Sequence, residues 1–169
     1  CFYKQRTAYE ITTGLEFRRV LFRSLAEAMA AEWEAQVETI DPHTMPLCKL
    51  SATTLDRLQS RRDEVIGITL KIAETDLLCY RAEEPEDLVV RQRDSWQPEL
   101  DWAKQELSAD LTVTTGILPI NQPENALIAL QAALSELDDF QLMGVTNAAA
   151  AAGSLILALS MHKIGRAHV

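Results

Sequence analysis

The 169-residue sequence is poor in the residues from which catalytic and cofactor motifs are built. It has three histidines, and of the two that precede residue 164, His43 stands in a predicted loop and His162 at the end of the domain, which does not favour a Ser/His/Asp or Cys/His constellation. The six glycines are scattered, and no GxSxG, HExxH, GxxxxGK or GxGxxG string occurs. We therefore expect no catalytic residue, no cofactor and no metal site.

Cysteine is equally scarce. The three cysteines, Cys1, Cys48 and Cys79, form no CxxC pair and no spacing typical of metal ligands. Buried free thiols are the simplest interpretation of Cys48 and Cys79. Nothing in this pattern calls for an oxidising compartment.

Positive charge is in deficit. Sixteen lysines and arginines face 25 aspartates and glutamates, which gives a net charge of -9. Nucleic acid is an unsuitable partner for such a chain, because phosphate binding needs a concentrated cationic surface. An acidic surface favours solubility and a basic patch on a protein partner.

Long apolar runs are also missing. The longest, Asn147–Met161, has about fifteen residues and contains Ser154 and Ser160, whereas a membrane-spanning helix needs about twenty. We predict a buried helix with no membrane insertion. The five alanines 148–152 and Gly153 should let a neighbouring backbone approach this helix closely, in a central position.

Both ends of the sequence resemble translated sequencing adapters. Residues 15–24 read LEFRRVLFRS and residues 164–169 read IGRAHV, while KQRTAYEI at residues 4–11 resembles the adjoining primer. The alternative is a basic amphipathic leader, since arginines alternate with apolar residues in 17–23. We expect residues 1–24 and 164–169 to be non-native and the domain to occupy 25–163. Without those ends, which carry six basic and two acidic residues, the net charge moves from -9 to -13.

Helix formers and prolines divide the first half of this domain. LAEAMAAEWEAQVE predicts a helix over 25–38, and the two prolines of Asp41–Pro46 break it. Two apolar stripes then predict two packed helices joined at the charged residues 61–63. Residues 77–80 are apolar without helical spacing and fit either a short buried extended piece or a helix end.

Three prolines followed by acids have the signature of a helix start. Pro85, Pro98 and Pro123 should each open a helix. Leucines at 127, 130, 134 and 137 then follow a single helical face. The β-branched cluster at 111–115 predicts one short strand. The fold class is thus mainly α, a compact domain of about six or seven helices.

Aromatic and cationic residues concentrate in the middle of the chain. Trp and Arg are the residues that most often anchor interfaces. The simpler interpretation is that Trp96 and Trp102 are core residues. Arg91 and Arg93 would then pair with nearby Asp94 or Glu83. The residues that we single out as partner-binding candidates are Asp76, Tyr80, Arg91, Arg93, Trp96, Asp101 and Trp102.

Five strings in a fixed order carry a family resemblance. They are LAEAMAAEWEAQ, IDPHTMPL, TDLLCYRAEEPEDLVVRQRDSWQPELDWA, GILPINQPENALIALQ and GSLILALSM. Together they resemble the assembly chaperones specific for the α subunit of the ATP synthase F-one sector, found in mitochondria and α-proteobacteria. The stretch 75–103 is the most specific part of the resemblance.

The resemblance implies a non-enzymatic chaperone without cofactor, monomeric when free. It would bind the unassembled α subunit and prevent its self-association until the β subunit replaces it. It would act in the cytoplasm of an α-proteobacterium, or in the mitochondrial matrix of a eukaryote. The family's N-terminal β-rich domain and its acidic, tryptophan-containing segment after GSLILALSM are expected to be missing here. The competing hypotheses are a small acidic enzyme that uses Asp76, Tyr80 and Arg81, and a purely structural helical module.

Overall fold

The computed structural model describes residues 16–167 of the chain. The rest of the predicted adapter-derived ends, residues 1–15 and 168–169, lies outside the described residues. One helix runs through residues 24 and 25, and another through 163 and 164. The proposed limits of the native domain therefore stay a prediction.

Within residues 16–167 the chain forms seven α-helices and two short strands, which confirms the mainly α fold class. Two 3-10 turns and one π turn link some of them. In chain order the elements are α1 (Glu16–Glu34), a 3-10 turn (Pro42–Thr44), α2 (Pro46–Thr53), a π turn (Thr54–Leu58), α3 (Gln59–Glu74), a 3-10 turn (Leu77–Cys79), β1 (Tyr80–Arg81), α4 (Glu86–Leu107), β2 (Thr114–Thr115), α5 (Glu124–Ser135), α6 (Asp139–Ala152) and α7 (Leu155–Ala167).

The chain divides into two compact units, one up to Leu50 and one from Ser51. In the first unit, α1 ends at Glu34, four residues before the predicted end, and the predicted break contains the Pro42–Thr44 turn. The Glu32 carboxylate accepts hydrogen bonds from Leu47 N at 2.7 Å and from Cys48 N at 2.8 Å. It thereby satisfies free amides in the first turn of α2.

The second unit begins with a kinked helical passage. Arg61 has φ -129° and ψ 19° inside α3, at the charged joint predicted between two helices. Beyond it, the Arg62 guanidinium donates to Asp139 Oδ1 at 2.5 Å and to the Leu137 carbonyl. This arginine thus ties α3 to the turn that precedes α6 and to the first residue of α6.

The core of the second unit lies where α3 packs against α5, α6 and α7, with α4 against α5 and α7. The predicted leucine face of α5 is confirmed by Leu130 and Leu134, both 0 % exposed, and by Leu137 just beyond the helix. Leu127, on the same face, is half-buried. The helix-start predictions at Pro85 and Pro123 are also confirmed.

The prediction that Pro98 opens a helix is wrong, because Pro98 lies inside α4. An internal proline removes one hydrogen bond and costs about 3 kcal/mol. After Pro98, the side chains of Leu100 and Ala103 are buried against the core, at 6 % and 0 % exposure. This packing offsets the cost of the proline. A proline signal alone therefore does not mark the helix boundary here.

The alanine-rich segment forms two helices and not one. Gly153 adopts φ 66°, a left-handed conformation, and its N–H donates to Ala149 O, which ends α6. Ala149 is fully buried, but Ala150 and Ala151 are exposed. The predicted central position therefore holds for one face of α6, and for α7, whose Leu155 and Ile156 are 0 % exposed.

The two strands form a parallel ribbon with the register Tyr80–Thr114 and Arg81–Thr115. Beyond the strands, Gly116 N donates to Arg81 O at 3.0 Å. The question left open for residues 77–80 is thus answered by a 3-10 turn that leads into β1, and the predicted strand at 111–115 is represented by β2.

Candidate functional site

Helix α4 carries five of the seven candidate partner-binding residues. Because each residue advances about 100° around an α-helix, Arg91 and Arg93 lie on nearly opposite sides of it. Both arginines and Asp101 are exposed, whereas Trp96 and Trp102 are half-buried and pack against the core. The candidates on α4 therefore do not form one continuous patch.

Two of the exposed candidates on α4, Arg93 and Asp101, make local contacts. Arg93 Nε lies 3.0 Å from Asp94 Oδ1, which is the pairing expected if this arginine has no special role. Asp101 Oδ1 accepts from Gln97 Nε2 at 2.9 Å. Exposed ion pairs of this kind contribute about 1 kcal/mol at most. Neither group is committed to the fold, so both can exchange partners.

Trp96 joins the ribbon through a cation–π contact. The Arg81 guanidinium carbon lies 5.4 Å from the centroid of the Trp96 ring. Arg81 also donates to Gln92 O at 2.7 Å and to Gln97 Oε1 at 3.4 Å. Burial lowers the pKa of Arg81. The arginine thus fixes β1 on α4, and Trp96 is a structural residue in this arrangement.

Asp76 belongs to the folded core. Its side chain is 0 % exposed and accepts from Leu78 N at 3.0 Å and from Ile156 N at 3.2 Å. Burial raises the pKa of Asp76, against the opposing effect of its hydrogen bonds to Ser154 and to nearby backbone amides. A carboxylate at the first turn of α7 stabilises the positive end of the helix dipole.

Contact between Asp76 and a partner is therefore incompatible with this structure, and the prediction is corrected to a structural role. Tyr80 is half-buried and packs against the core, with its hydroxyl enclosed. The enzyme hypothesis required Asp76, Tyr80 and Arg81 to converge in an open pocket. The Asp76 carboxylate is instead buried against the first turn of α7, while the side chain of Arg81, in β1, points to Gln92 of α4.

Trp102 lines a cleft of about 420 Å³ between the ends of α4, α5 and α7. Lys163 Nζ lies 5.3 Å from the centroid of the Trp102 ring and 2.6 Å from Glu106 Oε2. Leu107, Leu137 and Leu159 form much of the apolar wall. Lys163 therefore covers one face of the tryptophan, and the cleft has an apolar floor with a charged rim.

The most exposed apolar side chains of the second unit were not among the predicted partner-binding residues. Ile117 and Leu118 directly follow β2 and are 93 % and 78 % exposed. The usable signal was an Ile-Leu pair between Gly116 and Pro119, outside any helical or strand periodicity. In the first unit Trp33, Val37 and Ile40 are exposed by 53 %, 93 % and 60 %.

Potential metal ligands are dispersed over the residues that the structure describes. No group of three or more His, Cys, Asp or Glu side chains there could hold a metal ion. Cys79 is buried, and burial raises its pKa to about 12, which keeps the thiol protonated and unreactive. None of the described helices is long and apolar enough to cross a membrane.

The fold and these surfaces define a mainly helical domain with exposed apolar side chains beside charged ones, as in proteins that bind other proteins. The sequence model of the family described as ATP12 chaperone protein matches residues 13–104. The chain is similar to the crystal structure of Atp12 from Paracoccus denitrificans, and the match covers 81 % of this chain with 39 % sequence identity and a TM-score of 0.73. A candidate chaperone from Agrobacterium tumefaciens is similar to 82 % of this chain, with 37 % identity and a TM-score of 0.74.

This chain belongs to the ATP12 chaperone family. It spans 59 % of the Paracoccus chain and 52 % of the Agrobacterium chain. The family match begins at residue 13, within the segment that we predict to be adapter-derived.

Proposed function

We propose that this chain is the helical part of an ATP synthase assembly chaperone that binds the unassembled α subunit of the F-one sector. By covering the α subunit it prevents self-association until the β subunit takes its place. The observation that carries the proposal is membership of the ATP12 chaperone family, with 39 % identity to the Paracoccus protein.

The surface chemistry supports a binding role. A chaperone that holds an unassembled subunit needs apolar contact area that its own fold leaves uncovered. Ile117 and Leu118 supply such area, and the Trp102 cleft supplies a second. The net charge of -9 favours a client surface with basic residues.

The proposal includes no catalytic step and no cofactor. Of the seven candidate residues, Arg91, Arg93 and Asp101 remain available for client contact, together with the edge of Trp102 in its cleft. The same proposal places a monomeric protein in the α-proteobacterial cytoplasm, or in the mitochondrial matrix if the chain is eukaryotic.

Co-expression tests this function directly. The full chain carries an affinity tag and is expressed with the F-one α subunit of an α-proteobacterium and, separately, with the β subunit. We expect the tagged chain to retain α and to raise its soluble fraction, while β passes through. Retention of both subunits, or of β alone, would contradict the proposed specificity.

A parallel arm tests the limits of the native domain. Residues 25–163 alone should retain α as the full chain does, because the two end segments are predicted to contribute nothing to binding. Loss of binding on their removal would refute that prediction without affecting the proposed function. Full-length Paracoccus Atp12 is the positive control.

A further inference from the structure

The two strands of the ribbon are parallel, so the segments that follow them leave from the same end of the ribbon. After β1 come Ala82 and the acidic run 83–87, and after β2 come Gly116, Ile117 and Leu118. The hydrogen bond from Gly116 N to Arg81 O, 3.0 Å long, holds the two exits side by side. We call the exposed groups at these exits the ribbon-end surface: Glu83, Glu84, Glu86, Asp87, Ile117 and Leu118.

The apolar part of the ribbon-end surface is uncovered. Ile117 is 93 % and Leu118 78 % exposed, values close to those of a free side chain. Gly116 has φ 86°, a conformation that suits glycine and turns the chain at the end of β2. Two adjacent aliphatic side chains held on a turn form a compact contact point for a partner's apolar residues.

The acidic part is not tied up in ion pairs within residues 16–167. The four carboxylates of Glu83, Glu84, Glu86 and Asp87 are exposed, and none forms an ion pair with a cation among the described residues. Asp87 Oδ1 accepts a hydrogen bond from the neighbouring Leu88 N, at 2.9 Å. Uncompensated like charges in so short a run attract a positively charged segment.

Charge also decides between possible occupants. A second copy of this chain would bring another set of four carboxylates to the same contact, and like charges in close contact are unfavourable. A basic segment with apolar residues would satisfy both parts of the surface at once. We propose that the ribbon-end surface docks a client segment in which apolar and basic residues alternate along one face.

This inference rests on the proposed chaperone function but names a surface and a chemistry that can be tested separately. The probes are two fluorescent peptides of equal length, one of leucine and lysine and one of leucine and glutamate in the same amphipathic pattern. Their binding to the full chain is measured by fluorescence anisotropy at low and at physiological salt. We expect only the lysine peptide to bind, and we expect its affinity to fall as the salt concentration rises.

Two matched pairs of variants locate the binding. The double variant Ile117→Ser, Leu118→Ser should bind the lysine peptide with an affinity lower by about tenfold or more, since both side chains would be centrally buried in the contact. Ile128→Ser with Met161→Ser is the control, because those side chains are exposed by 58 % and 62 % elsewhere on the second unit. The control pair should leave the affinity within about twofold, as expected for contacts outside the interface.

The charge arm uses the same logic. The double variant Glu83→Lys, Glu84→Lys should have a lower affinity for the lysine peptide and should bind the glutamate peptide. Asp63→Lys with Glu74→Lys changes the net charge equally at two exposed positions of α3 and should do neither. Thermal unfolding of each variant checks that the fold is kept, which we expect because every substituted side chain is exposed.

Several outcomes would overturn the inference. These are equal binding of the two peptides, no binding of either, the same loss in the control pairs, or a dimer of the chain that the Ile117 and Leu118 substitutions abolish. Pull-down of the α subunit separates the two proposals. If the unmodified chain fails to retain α while the peptide results hold, only the proposed function fails. If α is retained equally by the Ile117 and Leu118 variant, only the ribbon-end surface is refuted.

Discussion

Replacing Asp76 should destabilise the second unit, by an amount that depends on what replaces it. The carboxylate accepts from Leu78 N and Ile156 N, and it also interacts with Ser154. In Asp76→Ala these buried donors lose their acceptor, and each orphaned donor costs about 1–3 kcal/mol. We expect a total loss of about 3–5 kcal/mol in the free energy of unfolding, within the range of severe single substitutions.

Asp76→Asn separates the hydrogen bonds from the charge. One amide oxygen can still accept a hydrogen bond, while the NH₂ group faces a backbone N–H and cannot. The expected cost is about 1–2 kcal/mol, smaller than that of alanine because one acceptor remains and a buried charge is removed. Urea unfolding followed by far-ultraviolet circular dichroism measures both variants, with Asp63→Asn at an exposed position of α3 as the control.

The pH dependence has a definite sign. Burial raises the pKa of Asp76 above its ordinary value of 3.8 in the folded state. Between the ordinary and the raised value the unfolded chain loses this proton first, so the stability that Asp76 contributes is full at low pH and falls as pH rises. The stability difference between the native chain and Asp76→Asn should therefore shrink as pH rises from about 3.8 through the raised pKa.

Two results would refute this account of Asp76. The first is an alanine variant no less stable than the asparagine variant, which would mean that the buried amides find other acceptors. The second is a stability difference that grows as pH rises, which would mean that the hydrogen bonds outweigh burial and lower the pKa.

Three further predictions concern other parts of the second unit. Gly153→Ala should lower the free energy of unfolding by about 1 kcal/mol, because Gly153 has φ 66°. Gly144→Ala, inside α6 with open space around it, should raise the free energy of unfolding by about 0.5–1 kcal/mol. Thermal unfolding compares the two variants. The Thr69 and Thr146 hydroxyls lie 2.8 Å apart, so either Thr→Val change should cost about 1 kcal/mol and the double variant little more, by a double-mutant cycle. Cys79, with its pKa near 12, should resist iodoacetamide in the folded protein and react after unfolding, as seen by peptide mass spectrometry.

The sequence predicts those elements whose determinants are local. Helix α5 follows from a proline and an acid at its start and from leucines that recur on one face, and both features lie within about four turns of chain. The kink at Arg61 likewise coincides with a change of apolar face between two stripes. Helices of this kind are recognisable because the signal and the element occupy the same residues.

Long-range contacts set what the sequence could not show. The carboxylate of Asp76 meets Ile156 N, 80 residues away, and only this contact reveals that the acid supports a helix start. In the sequence Asp76 stands in a segment of mixed aromatic, apolar and charged residues that resembles an interface. The prediction that Pro98 opens a helix is wrong for a related reason. The buried positions after Pro98 keep α4 continuous, although the proline signal alone indicates a boundary there.

The candidate site was predicted for its composition more than for its geometry. Residue type selected Trp96 and Trp102 because tryptophan is common in interfaces, yet tryptophan is also common at the edge of a core, and Trp96 serves there as the seat of Arg81. Exposure is the property that separates the two uses, and it depends on which strands pair and where they end. Ile117 and Leu118 have no distinctive type or period, but the parallel pairing of β1 with β2 brings the start of their segment to the same end of the ribbon as the acidic run 83–87. The docking surface that we propose depends on this topology, so it could not be predicted before the fold was known.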